Sequence, residues 1–145
     1  LFDLLRKRRK RNNIILTPHE GEFNRLFKFD NMNKIDKANK AADITNSTIL
    51  FKGNDTIISS PKKITLLARE SSPFLSTAGS GDVLAGICGS FLAQGMKSHF
   101  AAGAASWLHN EVGIESGPGL IAEDMNKFLS KVISKQLKRL YQSEN

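Results

Sequence analysis

The sequence predicts an α/β layer fold, and three observations carry that expectation. A short apolar run, Ile14-Ile15-Leu16, is followed at once by a helical pattern. Three further apolar runs lie close together between residues 48 and 67. The remaining half then reads as three successive helices. Strands bunched in this way, with helices around them, suit a sheet covered by helical layers. The chain has 145 residues, of which 40% are hydrophobic and 24% charged. That is enough for one domain with a buried core. No internal repeat or linker divides the chain, so residues 1–145 are expected to form a single unit.

The chain opens with Leu1, not Met, inside a helical pattern from Phe2 to Lys10. This start suggests a piece of a longer chain, an alternative start codon or a trimmed product. Asn12-Asn13 ends that helix, and Ile14-Ile15-Leu16 follows as a buried strand. Pro18 stops the strand and biases Thr17 towards extended backbone. Gly21 to Phe27 predicts a short helix with Phe23, Leu26 and Phe27 on one face. Glu20 and Glu22 suit its positive N-terminal end. Residues 34 to 46 predict a second helix, with Ile35, Ala38, Ala41 and Ala42 inward.

Thr48-Ile49-Leu50-Phe51, Thr56-Ile57-Ile58 and Ile64-Thr65-Leu66-Leu67 predict three strands with short polar connections. A Ser-rich loop with Pro73 fills residues 70 to 79. A helix begun by Asp82 should end near Gln94-Gly95, where Gly95 suits the C-terminal cap. Ser98 can cap the next, which runs to about Val112, with alanines for close approach and Trp107 for bulk. Ser116-Gly117-Pro118-Gly119 is a turn. The last helix spans about Ala122 to Leu140, with Met125, Phe128, Leu129, Val132, Ile133 and Leu137 inward.

The formal net charge is +7, yet Arg6 to Arg11 supply six of the 21 basic residues. From residue 12 onward there are 15 basic and 13 acidic side chains, a near balance. The basic run reads as the solvated end of a helix. A nucleic-acid arm would be expected to interleave aromatic residues, and none is present. No apolar run approaches a membrane span and no secretory signal pattern is visible. Cys88 falls on a buried helical stripe and has no internal disulfide partner, so a cytoplasmic setting and an inert thiol are expected.

Chemistry is concentrated in Ser76-Thr77-Ala78-Gly79-Ser80-Gly81-Asp82. Gly79 and Gly81 allow a sharp turn and a close approach to a ligand. The amides of the first helical turn, with the helix dipole, then favour an anion, most naturally a phosphate. Asp82 beside such an anion is repelled by it, so it should have a task. The task would be to take a proton from a substrate hydroxyl; the plain alternative is that it caps the helix. Two other strand ends carry polar motifs, where ligands of α/β sheets gather. His19, in Thr17-Pro18-His19-Glu20-Gly21-Glu22, is a substrate contact or an ordinary surface histidine. Lys52-Gly53-Asn54-Asp55-Thr56 is a phosphate contact or a hairpin turn with a solvated lysine. His99 and His109 read as structural, and no zinc-binding cluster is visible.

Taken in order, Thr17 to Phe23 with Arg25-Leu26, Lys52-Gly53 with Thr56, and Thr77 to Gly86 resemble the ADP- or ATP-dependent NAD(P)H-hydrate dehydratases. Leu92-Ala93-Gln94-Gly95, Trp107-Leu108-His109 and Gly119 to Asp124 extend the likeness. The resemblance implies a ribokinase-like three-layer α/β/α fold, of which this chain is the C-terminal half. Ser71-Ser72-Pro73-Phe74 departs from the glycine-rich stretch of many relatives. The implied reaction phosphorylates the ring hydroxyl of hydrated NADH or NADPH with ADP or ATP, then expels phosphate to restore the double bond. His19 and Asp82 would contact the hydrated dinucleotide, with Asp82 as base. Lys52, Gly53, Asn54, Asp55, Thr56 and Gly81 would contact the nucleotide. The backbone of Gly79, Ser80 and Gly81 would form the anion hole, and Mg2+ would accompany the nucleotide. The expected partner is a second copy or the absent N-terminal half, with neither nucleic acid nor membrane involved. Two readings compete: a small-molecule kinase of the same fold, and an inactive fragment of a split gene.

Overall fold

In the computed structural model, residues 13–68 and 71–143 are described. The helix expected from Phe2 to Lys10, with its basic run, lies outside them. The elements are β1 (Ile15–Leu16), α1 (Glu20–Leu26), α2 (Lys34–Thr45), β2 (Thr48–Phe51), β3 (Thr56–Ser59), β4 (Leu66–Ala68), α3 (Ser80–Ala93), α4 (Ser98–Ser116) and α5 (Met125–Ser143). The strands form one sheet in the order β1-β2-β3-β4. β1 runs parallel to β2, and the other two pairings are antiparallel.

Alternation along the central strands builds three layers. Ile49, Phe51 and Ile57 point to one face and pack with Phe23 and Phe27 of the α1 segment and Ala38, Ala41 and Ala42 of α2. Leu50 and Ile58 point to the other face and pack with Leu84, Ile87 and Cys88 of α3, Ala102, Ala105, Leu108 and Val112 of α4, and Met125 and Val132 of α5. Both faces of β2 and β3 are covered, which is why each reads as a continuous apolar or small-residue run. Thr48 and Ser60 hydroxyls are bonded at 2.8 Å, and His99 Nδ1 lies 2.9 Å from Ser60 Oγ. His99 is therefore structural, as read.

Several expectations are corrected. The third helix begins at Ser80, two residues before Asp82, because Gly79 takes the left-handed conformation (φ 83°) at the cap position. A side chain at Gly79 would also meet the Ala122 methyl at 2.9 Å. Ile35 is 42% exposed and not inward. The strand predicted from Ile64 starts instead at Leu66, with Ile64 84% exposed. Ser98 is the first helical residue and makes no cap; its hydroxyl accepts from Thr48 Oγ1 at 2.8 Å. The apolar stripe of α5 is buried only as far as Val132, and Ile133 and Leu137 are half-exposed. Trp107 is also half-exposed and lines a cleft.

Candidate functional site

Three chain segments converge at one end of the sheet. The first follows β1. His19 caps α1, its Nδ1 accepting from Gly21 N at 3.0 Å and Glu22 N at 3.3 Å. The Glu22 carboxylate accepts in return from His19 N at 2.8 Å, a reciprocal box that closes the helix entrance. That amide bond holds the Glu22 carboxyl below the usual carboxylate range, with the Lys52 cation helping. The second segment follows β2. Lys52 N donates to Pro18 O at 2.9 Å, which continues the β1–β2 pairing and joins the two segments. The third is the mouth of α3.

Lys52 is the meeting point. Its ammonium lies 3.9 Å from Glu22 Oε2, and a side chain placed on Gly81 would meet it at 3.0 Å. A cation held at the positive end of a helix is unfavourable on its own. Both favour an anion between them. Among the described residues, the Gly79 and Gly81 N–H groups have no hydrogen-bond partner, whereas Ser80 N donates to Thr77 O at 3.3 Å. Both amides are free to serve a phosphate, and Gly81 is the one beside the Lys52 ammonium.

Two clefts meet there. The larger, about 1250 Å³, is lined by His19, Lys34, Lys37, Lys52 to Thr56, Ser80, Gly81 and Trp107, among others. The smaller, about 750 Å³, is lined by Thr17, Pro18, Glu22, Arg25, Gly79 and Asp82, among others. Lys52 and Gly81 belong to both walls. The structure thus gathers Lys52, Gly53, Asn54, Asp55, Thr56 and Gly81 on one cleft, and it sets Asp82 on the other. His19 lines the larger cleft and not the one holding Asp82. Asp82 is exposed in the first turn of α3, and its carboxylate makes no hydrogen bond among the described residues. It does not cap the helix. Both clefts reach Gly81, so a group held by its N–H can be approached from the Asp82 side.

The mouth of α3 is anchored from behind. Ser80 Oγ donates to Leu75 O at 2.6 Å, and the buried His109 donates from Nε2 to Ser80 O at 2.9 Å. Burial pushes the His109 imidazole below its ordinary range; the Ser80 bond opposes this and the Lys52 cation adds to it. Burial lowers His99 likewise. A histidine with a lowered folded-state pKa binds fewer protons than in the unfolded chain. Stability is then full above the unfolded value, about 6.5, and is lost as pH falls below it. The melting temperature is expected to drop between about pH 7 and about pH 5, and less so in His109→Gln. A flat profile would contradict this role.

Sequence reasoning missed Lys34, Lys37, Trp107 and Asn110 on the larger cleft. Asn110 Oδ1 accepts from Ser72 N at 2.6 Å and fixes the loop leading to α3. Lys34 had a legible signal: a lysine at the first position of a helix opposes the dipole. Among the described residues no group of three or more His, Cys, Asp or Glu side chains is placed to hold a metal ion. Nor is any of the described helices long and apolar enough to cross a membrane.

Comparison with known proteins adds the chemistry of relatives. The family described as NAD(P)H-hydrate dehydratase matches residues 2–137. The bifunctional NAD(P)H-hydrate repair enzyme of Synechocystis is 42% identical over 103 residues, covering 69% of this chain and 20% of that one. The ADP-dependent (S)-NAD(P)H-hydrate dehydratase of Neisseria meningitidis is 40% identical over 101 residues, covering 67% of this chain and 34% of its own. The ADP/ATP-dependent NAD(P)H-hydrate dehydratase of Bacillus subtilis, co-crystallized with ATP and Mg2+, superposes with a TM-score of 0.74 at 26% identity, over 83% of this chain and 47% of that chain. A ribokinase-like superfamily protein of Enterococcus faecalis has a TM-score of 0.71 at 24% identity, over 83% of this chain and 44% of that one. The fold is therefore ribokinase-like, and the chain spans less than half the length of each of these proteins.

Proposed function

The chain belongs to the NAD(P)H-hydrate dehydratase family, and from that membership we propose that its two joined clefts serve the nucleotide-dependent dehydration of hydrated NADH or NADPH. The larger cleft takes ADP or ATP, and the smaller takes the hydrated nicotinamide ring. The observation that carries this reading is the shared wall of Lys52 and Gly81, an ammonium beside an unpaired helix-mouth amide, with Asp82 on the far side.

In this reading Lys52 and the Gly81 N–H hold the terminal phosphate, with Gly79 and Ser80 shaping the anion hole. The Asp82 carboxylate accepts the proton of the ring hydroxyl as that oxygen forms its bond to phosphorus. The phosphorus–oxygen bond to the leaving nucleotide breaks in the same displacement. Loss of phosphate and a ring proton then restores the double bond. The role of His19 is reached through α1: its cap fixes Glu22 near Lys52, and its exposed ring borders the larger cleft. Asp55 is the one acid within the Lys52–Thr56 segment, too few ligands for a protein cage. Mg2+ would thus ride mainly on phosphate oxygens, neutralising their charge when bound.

The reading also takes the chain as the C-terminal part of one dehydratase domain, acting in the cytoplasm with a second copy or with the rest of that domain. Its partial coverage of the relatives supports only the reading of the chain as part of a longer domain. The test incubates the chain with hydrated NADH, Mg2+ and either ADP or ATP. Restored reduced-nicotinamide absorbance with release of inorganic phosphate is expected. A stable phosphoester would mean a kinase, and no product with either nucleotide would reject the reading for this chain.

A further inference from the structure

We propose that Lys34 is a positioning residue for the nucleotide: it holds the turn from Lys52 to Asp55 in its binding shape from the α2 side of the larger cleft. This rests on the reading of that cleft as the nucleotide site.

Lys34 is badly placed for helix stability. It is the first residue of α2, where the dipole disfavours a cation. Burial costs its charged form and pushes its pKa down, with Asp55 and Glu20 opposing. Among the described residues it forms no salt bridge. What it does form is a set of contacts with one turn. Its ammonium donates to Asp55 O, sits 4.9 Å from the centre of the Phe51 ring, and fills the space that a side chain on Gly53 would need. Gly53 is thus a glycine for room, its φ not being positive.

The same turn is held from the other direction. Ser71 Oγ donates to Gly53 O at 3.1 Å, and Ser71 N donates to Asn54 O at 3.3 Å. Three successive carbonyls of the turn are therefore occupied, the last of them by Lys34. In a trans peptide the N–H points opposite to the carbonyl, and no peptide bond here is cis. Fixing these carbonyls fixes the amides that follow them. Among the described residues the Asn54 and Asp55 N–H groups have no partner. Ser71, on the Gly53 and Asn54 carbonyls, sets the direction of these two unpaired donors, and Lys34 anchors the far end of the same turn at Asp55 O, an arrangement beside Lys52 suited to phosphate oxygens.

The test compares the full chain with Lys34→Met and Lys34→Arg. Methionine keeps the stem and removes the charge, so the melting temperature is expected to hold or rise. Backbone order parameters of Gly53, Asn54 and Asp55 are expected to fall in Lys34→Met from about 0.85 towards about 0.6, and to stay high in Lys34→Arg. In calorimetric titration with ATP and Mg2+, Lys34→Met is expected to bind about tenfold more weakly, and Lys34→Arg to recover most of the loss. Hydrated NADH affinity is expected to be unchanged. Unaltered order parameters in Lys34→Met overturn the proposal, as does unaltered ATP affinity in a variant whose parent binds ATP. A parent chain that binds no ATP overturns the nucleotide reading of the cleft instead, and the order parameters still decide whether the turn depends on Lys34.

Discussion

Asp82→Asn is expected to lower the turnover of hydrated NADH by about a hundredfold to ten-thousandfold, the range a positioned general base supplies. Nucleotide affinity should be nearly intact. The substitution keeps the shape and removes the charge. Asp82 lies in the first turn of α3 without a hydrogen bond among the described residues, so the fold has little to lose. A carboxylate near a helix N-terminus contributes only about 0.3–1 kcal/mol through the dipole. That is too little to mimic a thousandfold loss of rate through unfolding. The measurement is a pair: single-turnover rate and ATP dissociation constant. Equal losses in both would mean that Asp82 shapes the loop and does not move the proton.

Phe23→Ala is expected to cost about 3–5 kcal/mol, the usual range for emptying a buried aromatic site. Phe23 is fully buried, and its ring is stacked on Phe51 at 4.1 Å with planes 4° apart. Phe27 stands 4.7 Å and Phe29 6.2 Å away, centre to centre. A domain stable by about 5–15 kcal/mol loses a large fraction of that margin. Phe51 immediately precedes Lys52, and Phe23 lies one residue after Glu22, so the damage falls beside the site. Urea unfolding checks the loss, with Ile64→Ala as control. Ile64 is 84% exposed, and its truncation should stay within about 0.5 kcal/mol. A small loss at Phe23 would mean that the neighbouring rings close over the gap.

The contrast between these positions shows what was legible in the sequence. Thr48–Phe51 reads as a strand from its apolar run alone, and the structure gives the same four residues. The helix from Lys34 to Thr45 is legible from its alanine spacing, but the exposure of Ile35 is not. Periodicity marks an apolar face without saying how far the covering neighbour extends, and Ile133 and Leu137 fail for the same reason. The sequence places the start of α3 at Asp82 with Gly79 and Gly81 in the turn before it, whereas Gly81 is already helical. A left-handed cap at Gly79 is set by the loop that precedes it, and local propensity does not contain that information. β4 slipped because its start depends on the reversal after Ser60, where Lys62 takes a left-handed conformation (φ 60°).

The site was legible as three motifs and illegible as two cavities. Gly-Ser-Gly-Asp and the Lys-Gly turn announce an anion by composition. That Lys52 and Gly81 are neighbours is a product of the parallel β1–β2 pairing and of the path into α3. His19 was visible as a polar residue at a strand end, yet its Nδ1 is spent on two amides of its own helix. Lys34 lies 18 residues before Lys52 in the chain, and only the fold brings it to the turn.

Trp107 is the single tryptophan of the chain, and it stands half-exposed on the wall of the larger cleft. Among the described residues, the smaller cleft has no aromatic residue in its lining. Native indole emission should therefore register the filling of one compartment and stay silent for the other. The molecule carries its own optical probe, so the order in which two ligands arrive can be followed in real time without a dye or a tag.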